Sequence, residues 1–146
     1  MRALLLALLV LAPGCFILRP TPRPPEPQLQ PSGLVIWELQ ETDGPKAALG
    51  DTVLIHYEIM LLDGTQVDSS MDQGAPIEVV LGETEVVAGI TEGLLGMGAS
   101  ARRKLQIPPD LGWGDQPVGP IPGGSTILAE VEIVELTKGD MAVGAQ

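Results

Sequence analysis

Residues 51–70 have the sequence DTVLIHYEIMLLDGTQVDSS, and this stretch decides the fold. Its first twelve residues, up to Leu62, are rich in the β-branched and other apolar residues that are typical of a strand. Asp63 and Gly64 follow, and a second extended segment begins at Thr65. An Asp-Gly pair between two such segments is a strong short-range indication of a β-hairpin. The stretch therefore predicts an antiparallel sheet.

The sequence on both sides of this hairpin predicts more strands and one helix. The further strands fall at residues 33–40, 77–81, 100–107 and 126–136. The helix is predicted over residues 83–96, although Gly89 and Gly93 weaken it. Apolar residues recur in it at three- and four-residue spacings, at Val86, Val87, Ile90, Leu94 and Met97. A run of strands with one helix indicates an α+β domain, in which an antiparallel sheet wraps around a short helix.

Composition and charge exclude several classes of function. The chain has 146 residues, enough for one ordinary domain, and its net charge is −11. Basic residues cluster only at residues 102–104, so we expect no binding of nucleic acid, which needs a basic surface. One Cys and one His are too few for an internal disulfide or a His-rich metal site. We therefore expect no metal and no cofactor.

The N-terminus has the features of an export signal. Arg2 supplies a positive charge, residues 3–11 are all apolar, and small residues precede Cys15. Nine apolar residues span only about 14 Å as a helix, too short for a bilayer core of about 30 Å. The pattern resembles a bacterial lipoprotein signal, which implies that residues 1–14 are removed and that Cys15 carries a lipid. The alternative is an ordinary secretory signal with an incidental cysteine. We expect a protein anchored to a membrane of the bacterial cell envelope.

A proline-rich segment separates this signal from the domain. We interpret residues 15–32 as a tether, because their prolines interrupt helices and sheet ladders. A polyproline segment extends by about 3.1 Å per residue, so the tether would hold the domain up to roughly 50 Å from a membrane. The competing interpretation is a proline-rich signalling ligand. The domain is then expected over residues 33–137, followed by a flexible tail at 138–146, and we expect a monomer.

Residues 56–70 resemble the V-H-Y-x-G-x-L-x-D-G-x-x-F-D-S-S signature of FKBP-type peptidyl-prolyl isomerases. Further blocks resemble the family's motifs in the same order, at residues 76–82, 85–94, 98–107, 108–114 and 121–127. The resemblance implies a five- or six-stranded antiparallel half-barrel that cups one helix. It also implies rotation about X-Pro peptide bonds in unfolded or exported proteins. This reaction requires neither a nucleophile nor a metal.

The resemblance also implies roles for individual residues. Tyr57 matches a tyrosine in the wall of the family's proline pocket, and Asp68 matches a carboxylate that lies near the substrate carbonyl. Both are candidate catalytic residues. The alternative for Asp68 is a turn residue at a strand end. Val86 and Val87 match the two aliphatic residues at the entrance of the helix, where the second offers its N–H to a substrate carbonyl. Trp113 takes the place of a loop tyrosine.

Four candidate substrate-binding residues depart from the family pattern. Val67, Ile77, Ile90 and Ala129 stand where aromatic side chains are usual. A large aromatic side chain buries about 150–250 Å², so we expect a wider and shallower pocket with weak activity. A binding or chaperone module without turnover remains an alternative, and so does a structural lipoprotein on the same scaffold. His56 is expected to be a packed structural residue bonded to the backbone.

Overall fold

The computed structural model describes residues 23–139. The predicted signal peptide, Cys15 and residues 140–146 of the tail lie outside this range. Within it, no helix is long and apolar enough to cross a membrane. The described elements are β1 (Pro27–Leu29), β2 (Val35–Gln40), β3 (Thr52–Leu61), β4 (Gln66–Ser69), α1 (Ser70–Gln73), β5 (Ile77–Val80), α2 (Ala88–Leu94), β6 (Arg102–Ile107), a 3₁₀ helix (Pro109–Leu111) and β7 (Ile127–Thr137).

The strands form one antiparallel sheet with α2 packed against it, which confirms the predicted α+β class. The strand order is β1-β2-β6-β7-β3-β4, and β5 pairs with β3 next to β4. The long strands β3 and β7 pair along almost their whole length. The predicted hairpin is present between β3 and β4, and Gly64 in its turn has a φ of 88°. Glycine suits this position because a side chain disfavours positive φ.

The sheet has seven strands, whereas five or six were expected. The additional strand is β1, which lies within the segment that we interpreted as a tether. Its residues Pro27, Gln28 and Leu29 pair with Trp37, Ile36 and Val35 of β2. The prediction that the prolines interrupt every ladder is therefore wrong at this point. The physical reason is that β1 is an edge strand and Pro27 is its first residue, two positions at which a missing N–H is tolerated.

The helix α2 lies unusually close to β6, and its glycines permit this. A Cβ atom on Gly93 would come within 2.3 Å of Leu105 Cδ1, and one on Gly89 within 2.5 Å of Ile107 Cγ2. The helix is also shorter than the predicted 83–96, because it begins at Ala88 and ends at Leu94. Val86 and Val87 therefore precede the helix. The buried core between sheet and helix is aliphatic, with Ile90, Leu94, Leu105, Ile107 and Ile127 among its members.

Arg103 fixes the C-terminal end of α2 to the sheet. Its Nη1 donates to the carbonyl oxygens of Gly93 and Leu95 at 2.8 and 2.7 Å. Its Nη2 lies 2.6 Å from Glu38 Oε1, and both side chains are mostly buried. Arg102 lies within 4 Å of two further glutamates on β7. Two of the three basic residues at 102–104 are therefore paired with carboxylates.

Asp51 anchors the first residues of the predicted tail. Its Oδ2 lies 2.7 Å from Lys138 Nζ, and its Oδ1 accepts a hydrogen bond from the Gly139 N–H at 2.9 Å. Lys138 and Gly139 are therefore held in place, in contrast to the flexible tail expected from residue 138 onwards. The Lys138 hydrogen bond, with those from the Gly139 and Ala48 N–H groups, lowers the pKa of Asp51 to about 2.

Candidate active site

A cavity of about 230 Å³ opens between β3, β5 and the start of α2. Its lining is mainly aliphatic, with a few polar groups, and consists of Ile55, Tyr57, Ile59, Asp68, Ile77, Glu85, Val86, Val87, Ile90 and Trp113. An apolar cavity with few polar groups is typical of a small-ligand or peptide site.

Two polar side chains of the lining, Tyr57 and Asp68, bond to each other and to Gln73, which lies outside the lining. The Tyr57 hydroxyl donates to Asp68 Oδ2 at 2.8 Å. Gln73 Nε2 donates to the Tyr57 hydroxyl oxygen at 2.9 Å and to Asp68 Oδ1 at 3.2 Å. Each side chain therefore restricts the orientation of the other two. We call these three residues the polar triad.

Strand register and a short helix bring the polar triad together. Asp68 on β4 lies opposite Ile59 on β3, so Tyr57 is its diagonal neighbour. The buried Ser70 Oγ accepts a hydrogen bond from the Tyr57 N–H at 2.9 Å. The Ser69 side chain caps α1, and Gly74 ends this helix in the left-handed conformation. These caps fix the single turn from which Gln73 extends towards Tyr57.

The surroundings of Tyr57 disfavour loss of its proton. Burial is the largest cause that raises its pKa above the ordinary value of 10.0, and the hydrogen bond to Asp68 raises it further. The hydrogen bond from Gln73 acts in the opposite direction, because it stabilises the phenolate. Tyr57 is therefore a neutral hydroxyl at physiological pH, and its proton is directed at Asp68.

Two hydrogen-bond donors remain available at the cavity. Among residues 23–139, neither the Val87 N–H nor the Trp113 indole N–H donates to a backbone or side-chain group of the protein. Val87 immediately precedes α2, and Trp113 follows the 3₁₀ helix, so they reach the cavity from different segments. A peptide carbonyl entering the cavity would find its free donors here, whereas the Tyr57 hydroxyl already donates to Asp68.

The structure brings most of the predicted site residues together, but not all of them. Tyr57, Asp68, Ile77, Val86, Val87, Ile90 and Trp113 line one cavity. Val67 does not line it and is a half-buried residue that packs against the core. Ala129 is fully buried beneath the sheet surface, between Ile59 and Leu105 on the neighbouring strands. Its methyl group is too short to reach the cavity past these larger neighbours, so Ala129 does not line it. Cys15 lies outside the described residues.

Sequence reasoning missed four residues at the site. Ile55 and Ile59 line the cavity beside Tyr57, and the two-residue alternation along β3 would have indicated them. Glu85 lines it next to Val86. Gln73 gave no signal in the sequence, because its role depends on the direction of α1. Asp68 Oδ1 also accepts a hydrogen bond from the Ser69 N–H at 2.8 Å, so Asp68 combines a local contact at the end of β4 with its contact to Tyr57.

His56 lies next to Tyr57 in the sequence but does not line the apolar cavity. Its Nδ1 is 3.0 Å from Ser70 Oγ, so its partner is a side chain and not the expected backbone group. It contributes instead to a cavity of about 260 Å³ together with Glu58, Arg102, Glu130 and Glu132. This second cavity is slightly larger, and four of its eight lining residues are charged, against two of ten in the aliphatic cavity. Charged walls suit an apolar peptide segment poorly, so we place the candidate site in the aliphatic cavity.

The fold and the site define a class of α+β domain in which an antiparallel sheet and a short helix enclose an apolar cavity with a few polar groups at its wall. A sequence profile described as "FKBP-type peptidyl-prolyl cis-trans isomerase" matches residues 44–134. The chain belongs to this family.

Individual relatives agree with this assignment. The chain is 39% identical over 104 residues to the "FK506-binding protein" of Neisseria meningitidis serogroup C, in an alignment covering 70% of this chain and 95% of the relative. It is 46% identical over 92 residues to "FK506-binding protein 2" of Emericella nidulans, in an alignment covering 62% of this chain and 68% of the relative.

Solved structures show the same fold. FkpA from Escherichia coli superposes with a TM-score of 0.71 at 32% identity, covering 76% of this chain and 51% of that chain. The structure of AtFKBP13 superposes with a TM-score of 0.71 at 31% identity, covering 75% of this chain and 98% of that chain. The expected FKBP-like architecture is thus confirmed.

Proposed function

We propose that this chain is a peptidyl-prolyl cis-trans isomerase that acts on X-Pro segments of exported proteins. The observation that carries the proposal is the aliphatic cavity whose lining combines Tyr57 and Asp68 of the polar triad with the two free N–H donors of Val87 and Trp113. Rotation about an X-Pro bond takes tens to hundreds of seconds without a catalyst. An isomerase would remove this delay from folding.

The proposed chemistry needs only binding of a twisted amide. Amide resonance creates a rotational barrier of about 18–20 kcal/mol. Resonance is lost at the twisted geometry, so a site that binds the twisted form better than either planar isomer lowers the barrier. The aliphatic walls formed by Ile55, Ile77 and Ile90 would exclude water from the proline. The Val87 N–H would hold a neighbouring carbonyl in place while the bond rotates.

We expect the activity to be weak. Trp113 is the only aromatic lining residue besides Tyr57, and aliphatic side chains enclose a proline ring less completely than aromatic rings do. The same observation favours a second candidate function, a peptide-binding or chaperone module that keeps the cavity without fast turnover. In either case the proposed partner is a proline-containing segment, and the protein acts as a monomer.

A protease-coupled assay with proline peptides tests the isomerase proposal. Micromolar protein should accelerate isomerisation of peptides with several different residues before the proline. A rate equal to the uncatalysed rate for every peptide would defeat the isomerase and leave the binding module. That module must slow aggregation of an unfolded client or capture a proline peptide, and failure of both assays would leave only a structural scaffold.

We also propose that a lipid on Cys15 holds the protein at a membrane of the bacterial cell envelope. The apolar run before Cys15 and the proline-rich segment after it support this proposal. Globomycin, which blocks lipoprotein signal cleavage, should cause uncleaved precursor to accumulate, and palmitate should label the wild-type protein. Label on a Cys15→Ser variant would overturn the proposal.

A further inference from the structure

The candidate active site carries negative charge that no cation in its lining balances. Asp68 and Glu85 are its two carboxylates, and none of its lining residues is Lys, Arg or His. All the groups that donate to Asp68 are neutral: the Tyr57 hydroxyl, the Gln73 amide and the Ser69 N–H. None of the ion pairs within residues 23–139 includes either carboxylate.

The six Lys and Arg residues among residues 23–139 all lie outside this lining, and Arg23 is paired with Glu26. Arg103 bonds to Glu38, Arg102 lies against Glu130 and Glu132, and Lys138 bonds to Asp51. The whole chain has a net charge of −11, so the field at the cavity is not reversed by its surroundings. Asp68 and Glu85 both line the cavity and are both exposed, so their charges are at the solvent-accessible part of the lining.

From this charge distribution we infer that Glu85 makes the site selective for X-Pro segments with Lys or Arg immediately before the proline. This inference rests on the proposed isomerase site. The residue before the proline stays at the mouth when the ring enters the aliphatic cavity. A cation there is attracted by both carboxylates, and a carboxylate there is repelled by them. The aromatic ring of Trp113 in the same lining adds a further attraction for a cation.

Charge at an exposed site has a modest effect that depends on salt. Exposed pairs of opposite charge contribute roughly 0.2–1 kcal/mol, which corresponds to a factor of about 1.4 to 5 in binding or rate. Attraction of Lys and repulsion of Glu both contribute when a Lys-Pro peptide is compared with a Glu-Pro peptide. We therefore expect the ratio of their kcat/KM values to be roughly ten at low salt. The ratio should fall at high salt, because the Debye length decreases to about 3 Å at 1 M.

The test uses peptides that differ only in the residue before proline, with Lys, Gln or Glu at that position. Values of kcat/KM should rank Lys above Gln above Glu. In Glu85→Gln the ratio of Lys to Glu should fall to about threefold, because one of the two carboxylates is removed. Glu83→Gln is the matched control, since Glu83 is two residues away, exposed and outside the lining. It should keep the wild-type ratio.

Binding of the same peptides, followed by fluorescence anisotropy, separates the two proposals. Turnover of all three peptides at equal rates would overturn the selectivity and leave the isomerase. Binding that ranks Lys first through Glu85, without turnover, would overturn the isomerase and keep the selectivity. Equal loss of the ratio in Glu83→Gln and Glu85→Gln would assign the effect to net charge and overturn the role of Glu85. Absence of both turnover and binding would overturn both proposals.

Discussion

The hydroxyl of Tyr57 donates its hydrogen bond to Asp68 Oδ2 at 2.8 Å, across the β3–β4 pair. This contact uses the one proton of the hydroxyl, so the hydroxyl has no free donor for a substrate carbonyl. The Val87 N–H, by contrast, donates to no other backbone group within residues 23–139 and is free for a substrate carbonyl. Tyr57 and Asp68 therefore shape one wall of the cavity together, and the donors free for a peptide carbonyl belong to Val87 and Trp113.

Asp68→Ala should lower isomerase activity without unfolding the domain. The substitution releases the Tyr57 hydroxyl and removes one partner of Gln73, and a hydrogen bond of this kind contributes about 1 kcal/mol, or roughly fivefold in kcat/KM. The melting temperature should change little, because the Asp68 side chain is exposed. Asp72→Ala, which removes an exposed carboxylate outside the cavity, is the control. Unchanged kcat/KM in Asp68→Ala would contradict a role in catalysis.

Titration of Tyr57 should report the polar triad directly. The chain contains a single Tyr, so phenolate absorbance belongs to this residue. Its pKa should lie above 10.0 because of burial and of the hydrogen bond to Asp68. Asp68→Asn should lower this pKa, since a neutral amide no longer opposes the phenolate, whereas Gln73→Leu should raise it by removing a donor. Identical titration curves in the three proteins would show that the polar triad does not form in solution.

A larger side chain in the cavity lining should raise isomerase activity, whereas a larger side chain at a fully buried core position should lower stability. Ile90→Trp adds an aromatic ring at a residue that lines the cavity, so we expect higher isomerase activity from better enclosure of proline. Ala129→Phe adds a ring at a position with 0% exposure, where overpacking costs about 1–3 kcal/mol or more. Urea unfolding should therefore show a destabilised Ala129→Phe. Higher activity in Ala129→Phe than in Ile90→Trp would contradict the described lining.

Gly93→Ala should destabilise the domain although alanine is the better helix former. The added Cβ would come within 2.3 Å of Leu105 Cδ1, so helix and sheet must separate. We expect a loss of about 2 kcal/mol in the free energy of unfolding, which exceeds the gain in helix propensity of about 1 kcal/mol. Thr91→Ala, on a less buried side of the same helix, is the control and should be close to neutral. A stabilised Gly93→Ala would show that the helix lies farther from β6.

The Asp51–Lys138 contact should make stability depend on acid pH. The pKa of Asp51 is about 2 in the folded domain, against 3.8 for an ordinary Asp. A lowered folded pKa gives stability that is fully present above about pH 4 and lost as the pH falls towards 2. Asp51→Asn should lose less stability than the wild type over this range, as measured by urea unfolding at pH 6 and pH 2.5. Parallel losses in both proteins would exclude Asp51 as the cause.

The sequence predicted the sheet and the helix because their signals are local. The hairpin at Asp63-Gly64 and the alternation along β7 depend on neighbouring residues, and both are present in the structure. The ends of α2 were less well predicted. The apolar spacing extends through Val86 and Val87, but the chain adopts the helix only from Ala88 onwards. Apolar spacing shows which residues are buried and does not show where helical hydrogen bonding begins.

By itself, the sequence determined the family motifs, the candidate pair of Tyr57 and Asp68, and the excess of negative charge. Only the tertiary structure decided that Gln73 joins this pair, that Ala129 is covered, and that Pro27 belongs to the sheet. The physical reason is that motif and charge are properties of residues in order along the chain. Hydrogen-bond partners, coverage and edge pairing depend on which distant segments meet, and only strand pairing and the placement of α1 in the folded domain settle that.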